Sequence, residues 1–157
     1  MLPKTLPELD RIRSSCQSLA ARRATVAAGL AMVPVPGIDL LVDASVLGNV
    51  IPRINKRFGL TPRQIEELDA QKRSTIAEMI KVVGADFVGR SITRNLIMTV
   101  LRRAGKRAVS NRLLRYMPIA GRAASAVLSY GAMMYVSNTH IDACYDIARV
   151  AMEEKKR

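Results

Sequence analysis

The chain has 157 residues, 49% of them apolar, which is enough for one domain with a real core and too short for two comfortable ones. Aromatics make up 4% with no Trp, and Ala, Leu, Met, Arg and Val are plentiful, which favours close-packed helices over sheets. Lys+Arg of 25 against Asp+Glu of 13 gives a net charge of +12, and the two cysteines, Cys16 and Cys144, are too few for a disulfide framework or a zinc module.

The expected fold is all-α: a single-domain helical bundle of about five to seven helices over residues 1–157. Thr5-Leu6-Pro7-Glu8 has the form of a capping box, with Thr5 as N-cap and Glu8 reaching back, so the first helix runs from about Leu6 toward Met32. Val33-Pro34-Val35-Pro36-Gly37 then breaks the chain, because proline withholds a backbone donor and glycine permits the turn. Pro34, Pro36 and Gly37 form the hinge of one apolar hairpin; Pro118 and Gly121, in Met117-Pro118-Ile119-Ala120-Gly121, form that of a second.

The second helix runs from near Gly37 to Arg57, where Phe58-Gly59 stops it. Thr61-Pro62-Arg63-Gln64 repeats the start signal and opens a polar third helix whose Glu66, Glu67, Asp69, Lys72, Arg73, Glu78 and Lys81 form a solvated face. Gly84 punctuates. A further apolar helix is expected from about Asp86 to Arg103, Gly105 leads into a short basic helix ending near Tyr116, and Pro118 to Gly121 opens the last long segment. Small residues at Ala120, Gly121, Ala124, Ser125 and Ser129 permit close helix approach there. A break near Ser137-Asn138 precedes a final helix from Ile141 to Met152, and residues 153–157 fray.

These motifs, together with Arg57-Phe58-Gly59-Leu60-Thr61 and Leu128-Ser129-Tyr130, in this order over Ala20 to Ala151, resemble the C-terminal helical domain of immunity-related GTPases and the related bacterial GTPase-associated helical domain of unknown function. Those relatives carry a GTPase domain ahead of the helical region, and here the sequence opens directly on it. The resemblance implies a helical module concerned with membranes or protein partners, without nucleotide chemistry of its own.

From Phe87 to Ile141 there is no Asp or Glu, while nine arginines and lysines fall in that span. Arg102, Arg103, Lys106, Arg107, Arg112 and Arg115 form the expected surface for an anionic partner, either an anionic membrane or an acidic protein. Nucleic acid is the alternative, disfavoured by the scarcity of stacking aromatics; a further one is a partner or inhibitor of a separate GTPase or effector. A sharper version of the membrane reading has the two apolar hairpins open and insert, as in a pore-forming protein. Neither Ala24 to Ile38, 15 residues interrupted by two prolines, nor the diluted Ala123 to Ile141 makes a convincing span, since one needs ~20 apolar residues.

Charged residues stand where a signal peptide would place its apolar segment, so the expected location is cytoplasmic, with a peripheral membrane association and non-Sec export both left open. Gly84-Ala85-Asp86-Phe87-Val88-Gly89-Arg90-Ser91 superficially matches a phosphate-binding loop, but with Arg for Lys and without the preceding strand. Asp39 and Asp43 share a helix face with Val46, Val50 and Ile54 and are expected as buried polar partners, Asp39 favouring the helix N-terminus and Asp43 pairing with Arg22, Arg23 or Arg122. His140 and Cys144, four apart, are two ligands where a closed zinc site needs four. No catalytic triad, metal or cofactor is expected, and the chain is not expected to be an enzyme.

Overall fold

The computed structural model describes residues 1–30, 38–109 and 121–153, with the side chains of 30, 38–43, 104–109 and 121–128 excepted. Pro34, Pro36, Pro118, Arg112 and Arg115 lie outside the described residues. The backbones of Asp39, Asp43, Lys106, Arg107 and Gly121 are helical, but their side chains fall outside, as does Gly37. The protein is all-α: α1 (Leu6–Leu30), α2 (Ile38–Phe58), α3 (Pro62–Glu66), α4 (Ala70–Val83), α5 (Arg94–Val109) and α6 (Gly121–Glu153), with no strand among the described residues.

The local signals explain the helix ends. The Glu8 amide donates to Thr5 Oγ1 at 3.3 Å, as a capping box requires, but the Glu8 carboxylate accepts from the Lys4 amide at 2.8 Å, one residue beyond the cap. Gly59, at φ +75°, and Gly84, at φ +65°, each end a helix in the left-handed region. After α2 the Leu60 amide returns to the Asn55 carbonyl at 2.9 Å and Gly59 to that of Lys56 at 3.3 Å, the paired bonds of a Schellman closure. Pro52 sits inside α2 and removes the bond that Gly48 would otherwise accept, a loss the tertiary packing around it must offset.

Four expectations need correction. The polar third helix is two: Thr61 caps α3 in a full capping box with Gln64, α3 ends after five residues, and Asp69 caps α4 by accepting from the Lys72 amide at 2.9 Å. Asp69 is therefore a helix cap, and its carboxyl is held below its usual range chiefly by the Lys72 ammonium. No helix begins at Asp86. Ala85, Phe87 and Val88 are buried in a non-helical segment, Gly89 takes φ +66° with its amide 3.4 Å from the Leu60 carbonyl, and Thr93 caps α5 by accepting from the Leu96 amide at 3.3 Å. Finally α5 runs through Gly105, and α6 through Ser137-Asn138, without a break. A single helical Gly costs about 1 kcal/mol relative to Ala, which neighbouring turns can carry. Ser137 is buried on the α6 stripe formed by Met133, Val136, His140, Cys144, Ile147 and Ala151, so tertiary packing overrides its weak helix preference.

The chain packs as two compact units. The first comprises Met1–Ser18, Ile51–Ile92 and Asn138–Arg157, around Leu9, Ile51, Ile54, Phe58, Leu60, Ile76, Ile141 and Ile147, each fully buried. The second comprises Leu19–Val50 and Thr93–Ser137, with Ala20, Ala24, Ala27, Leu47, Val50, Ile97, Leu101 and Met133 in its core. On α1 the small Ala20, Ala24 and Ala27 recur at helical spacing, which suits close backbone approach.

Candidate functional site

The first unit holds a buried polar cluster contributed by α2, the 85–93 segment and α6. Leu47, Ile51 and Phe58 mark the inward stripe of α2, and Asn55 stands in that register, 1% exposed. Its Nδ2 donates to the Phe87 carbonyl at 3.0 Å. A carbonyl can only accept, so this bond fixes the amide orientation and turns Oδ1 toward His140 Nε2 at 2.8 Å. Oδ1 likewise only accepts, so Nε2 carries a proton. The Phe87 ring meets the imidazole edge to face, with centroids 5.4 Å apart and an interplanar angle of 89°. Burial alone holds the His140 pKa down, to about 3, so the ring is neutral at physiological pH.

Cys144, one turn along α6, places its sulfur 3.5 Å from His140 Nε2 and 3.7 Å from Asn55 Oδ1. Burial pushes this thiol well above its usual range, and Cys16 on α1 lies near enough to add to the shift. Cys16 is itself raised by burial, against the opposing pull of the Arg57 guanidinium. The residue types of a Cys-His-Asn nucleophilic site thus meet, with the thiol buried and its pKa raised and Nε2–H bonded to Asn55 Oδ1. Among the described residues no group of three or more His, Cys, Asp or Glu side chains could hold a metal ion.

Sequence reasoning paired His140 with Cys144 but missed Asn55 and Phe87. The available signal was a lone amide in the i, i+4, i+8 apolar stripe of Leu47, Ile51 and Asn55. The phosphate-loop look-alike lies between two helices, with Phe87 and Val88 buried and Arg90 exposed. Val50 and Ile54 are buried and Val46 is half-buried, while the side chains of Asp39 and Asp43 lie outside the described residues.

Comparison with known proteins finds no matching family model, no similar curated protein and no similar solved structure.

The second unit carries the described part of the basic block. α5 buries Ile97 and Leu101, four apart, half-buries Leu96, Met98 and Val100, and exposes Arg94, Asn95, Thr99, Arg102 and Arg103. Of the six residues expected to face an anionic partner, Arg102 and Arg103 are thereby placed on the surface. The same unit exposes Val26, Tyr130 and Tyr135. Among the described residues, no helix is long and apolar enough to cross a membrane.

Proposed function

We propose that this chain is a non-enzymatic helical module that binds an anionic membrane surface through its acid-free basic block, with α5 as the leading edge. The observation that carries this reading is the division of α5 into an apolar face buried through Ile97 and Leu101 and an exposed face bearing Arg102 and Arg103, within a stretch lacking any carboxylate. Basic residues near an anionic bilayer contribute about 1 kcal/mol each. The exposed Tyr130 and Tyr135 suit a headgroup interface, where a ring with a polar tip is favoured. The resemblance of the proline-glycine motifs to the GTPase-associated helical modules supports the same class of role.

Cosedimentation with anionic and neutral vesicles at low and high salt tests this. Binding is expected to anionic vesicles only and to weaken with salt; reversing both Arg102 and Arg103 to Glu should lower the affinity about tenfold or more. Unchanged binding by the double variant would remove α5 from the interface. Failure to bind any vesicle, with salt-sensitive binding to duplex DNA or copurification of an acidic protein instead, would replace the membrane by that partner. Dye leakage that persists at high salt would extend the reading to insertion of the apolar hairpins.

A further inference from the structure

His140 is the sole histidine of the chain, and the first unit is built around its neutral form. Nε2–H is spent on Asn55 Oδ1, whose amide is held in turn by the Phe87 carbonyl. The other ring nitrogen, Nδ1, has the Cys144 sulfur at 4.0 Å, a weak acceptor at long range. A second N–H on the ring would therefore find no adequate partner.

The charged groups on the surrounding elements offer no compensation. On α6 itself, Asp142 is exposed and paired with Arg13 at 2.6 Å, and Asp146 is exposed. On α1, Asp10 accepts from the Tyr145 hydroxyl at 2.8 Å, while Cys16 has the Arg57 guanidinium against it. The stretch of α2 around Asn55 brings Arg53, Lys56 and Arg57 and no acid. On the 85–93 segment the one carboxylate, Asp86, is half-buried and already engaged. No charged group contributes to the depression of the His140 pKa, which comes from burial alone.

We propose that the Asn55–His140–Phe87 cluster is an acid-sensitive latch, holding while His140 is neutral and opposing a second proton on the ring, so that the first unit loses stability in mildly acidic solution. The sign follows from the two states. In the unfolded chain the imidazole takes up a proton as pH falls below 6.5, whereas in the folded unit it does so only near about 3. The unfolded state thus binds more protons throughout that window, and stability is lost steadily as pH falls through it. The contribution of this one group lowers the folded-to-unfolded ratio about 30-fold between pH 7.5 and pH 5.

The test is equilibrium denaturation of the full chain at pH 7.5 and 5, with peptide-resolved hydrogen exchange over 51–58 and 138–147, for the native protein and for His140→Gln. Glutamine keeps an N–H donor and cannot titrate in this range. The native protein should lose stability about 30-fold, with exchange rising in those two segments, and His140→Gln should lose far less. Should the variant fail to fold, the single imidazole resonance of the native protein decides by NMR: the folded-state signal is expected not to titrate between pH 7.5 and 4.5, while an unfolded-state signal grows. A folded-state midpoint near 6.5, or an identical pH dependence in the two proteins, overturns the proposal.

Discussion

Asn55→Ala is expected to destabilise the first unit by about 3 kcal/mol or more, among the largest effects of any single polar substitution in the chain. Two groups lose their partner at once, the His140 Nε2–H at 2.8 Å and the Phe87 carbonyl at 3.0 Å, both on residues at most 4% exposed. Each buried orphan costs roughly 1–3 kcal/mol, because its bonds to water in the unfolded chain are not replaced. Urea denaturation measures the loss directly. Replacing Asn55 and His140 together by Leu and Phe should cost less than the sum of the single losses, because an apolar pair leaves only the Phe87 carbonyl unpartnered. Strict additivity in that cycle would show that the two side chains do not act through one another. Asn55→Asp should act differently again: the carboxylate still accepts from His140 but favours its protonated form, so the histidine should titrate at a higher pH than in the native protein.

Gly59→Ala is the second large effect, and Gly84→Ala is its control. Both glycines end helices at nearly the same left-handed φ, +75° and +65°, so an alanine at either meets a similar backbone penalty of about 1 kcal/mol. Their surroundings differ. A Cβ on Gly84 has nothing within 4 Å, whereas one on Gly59 would stand 2.7 Å from the Leu2 nitrogen and from the Met1 carbonyl carbon and oxygen. Those are backbone atoms and cannot swing aside as a side chain would, so the N-terminal strap must be displaced. Gly59→Ala should therefore cost roughly 2–3 kcal/mol against about 1 for Gly84→Ala. Deleting Met1 and Leu2 from the Gly59→Ala protein should recover most of the difference. Equal melting temperatures for the two alanine variants would show that the strap contact contributes nothing.

Several helix ends set by a local rule were legible in the sequence. Thr5, Thr61 with Gln64, Gly59 and Gly84 act through atoms at most a few residues away, so their identity suffices to place a boundary. Asp69 carried the same kind of signal, yet in a run of alternating charges it reads as one more solvated acid, and only its bond to the Lys72 amide distinguishes it. The exposed arginines of α5 were legible for a similar reason: Ile97 and Leu101 at i, i+4 define the buried face, and the charges on the other side follow from helical period.

What the sequence by itself determined is therefore the all-α class, most of the capping chemistry, and an acid-free basic stretch with an amphipathic helix inside it. Tertiary structure decided the rest. Local preference at Ser137-Asn138 favours a break, but burial of Ser137 on the core stripe carries α6 straight through, since burial of an apolar face outweighs a few tenths of a kcal/mol of propensity. The apolar look of Ala85 to Val88 suggests a helix, and packing instead fixes it as a buried loop whose carbonyl completes the Asn55 and His140 cluster. That cluster joins residues 85 and 32 positions apart. No local rule brings such residues together, because their meeting depends on where three separate segments pack, and the neutral state of His140 depends on the burial that this packing creates.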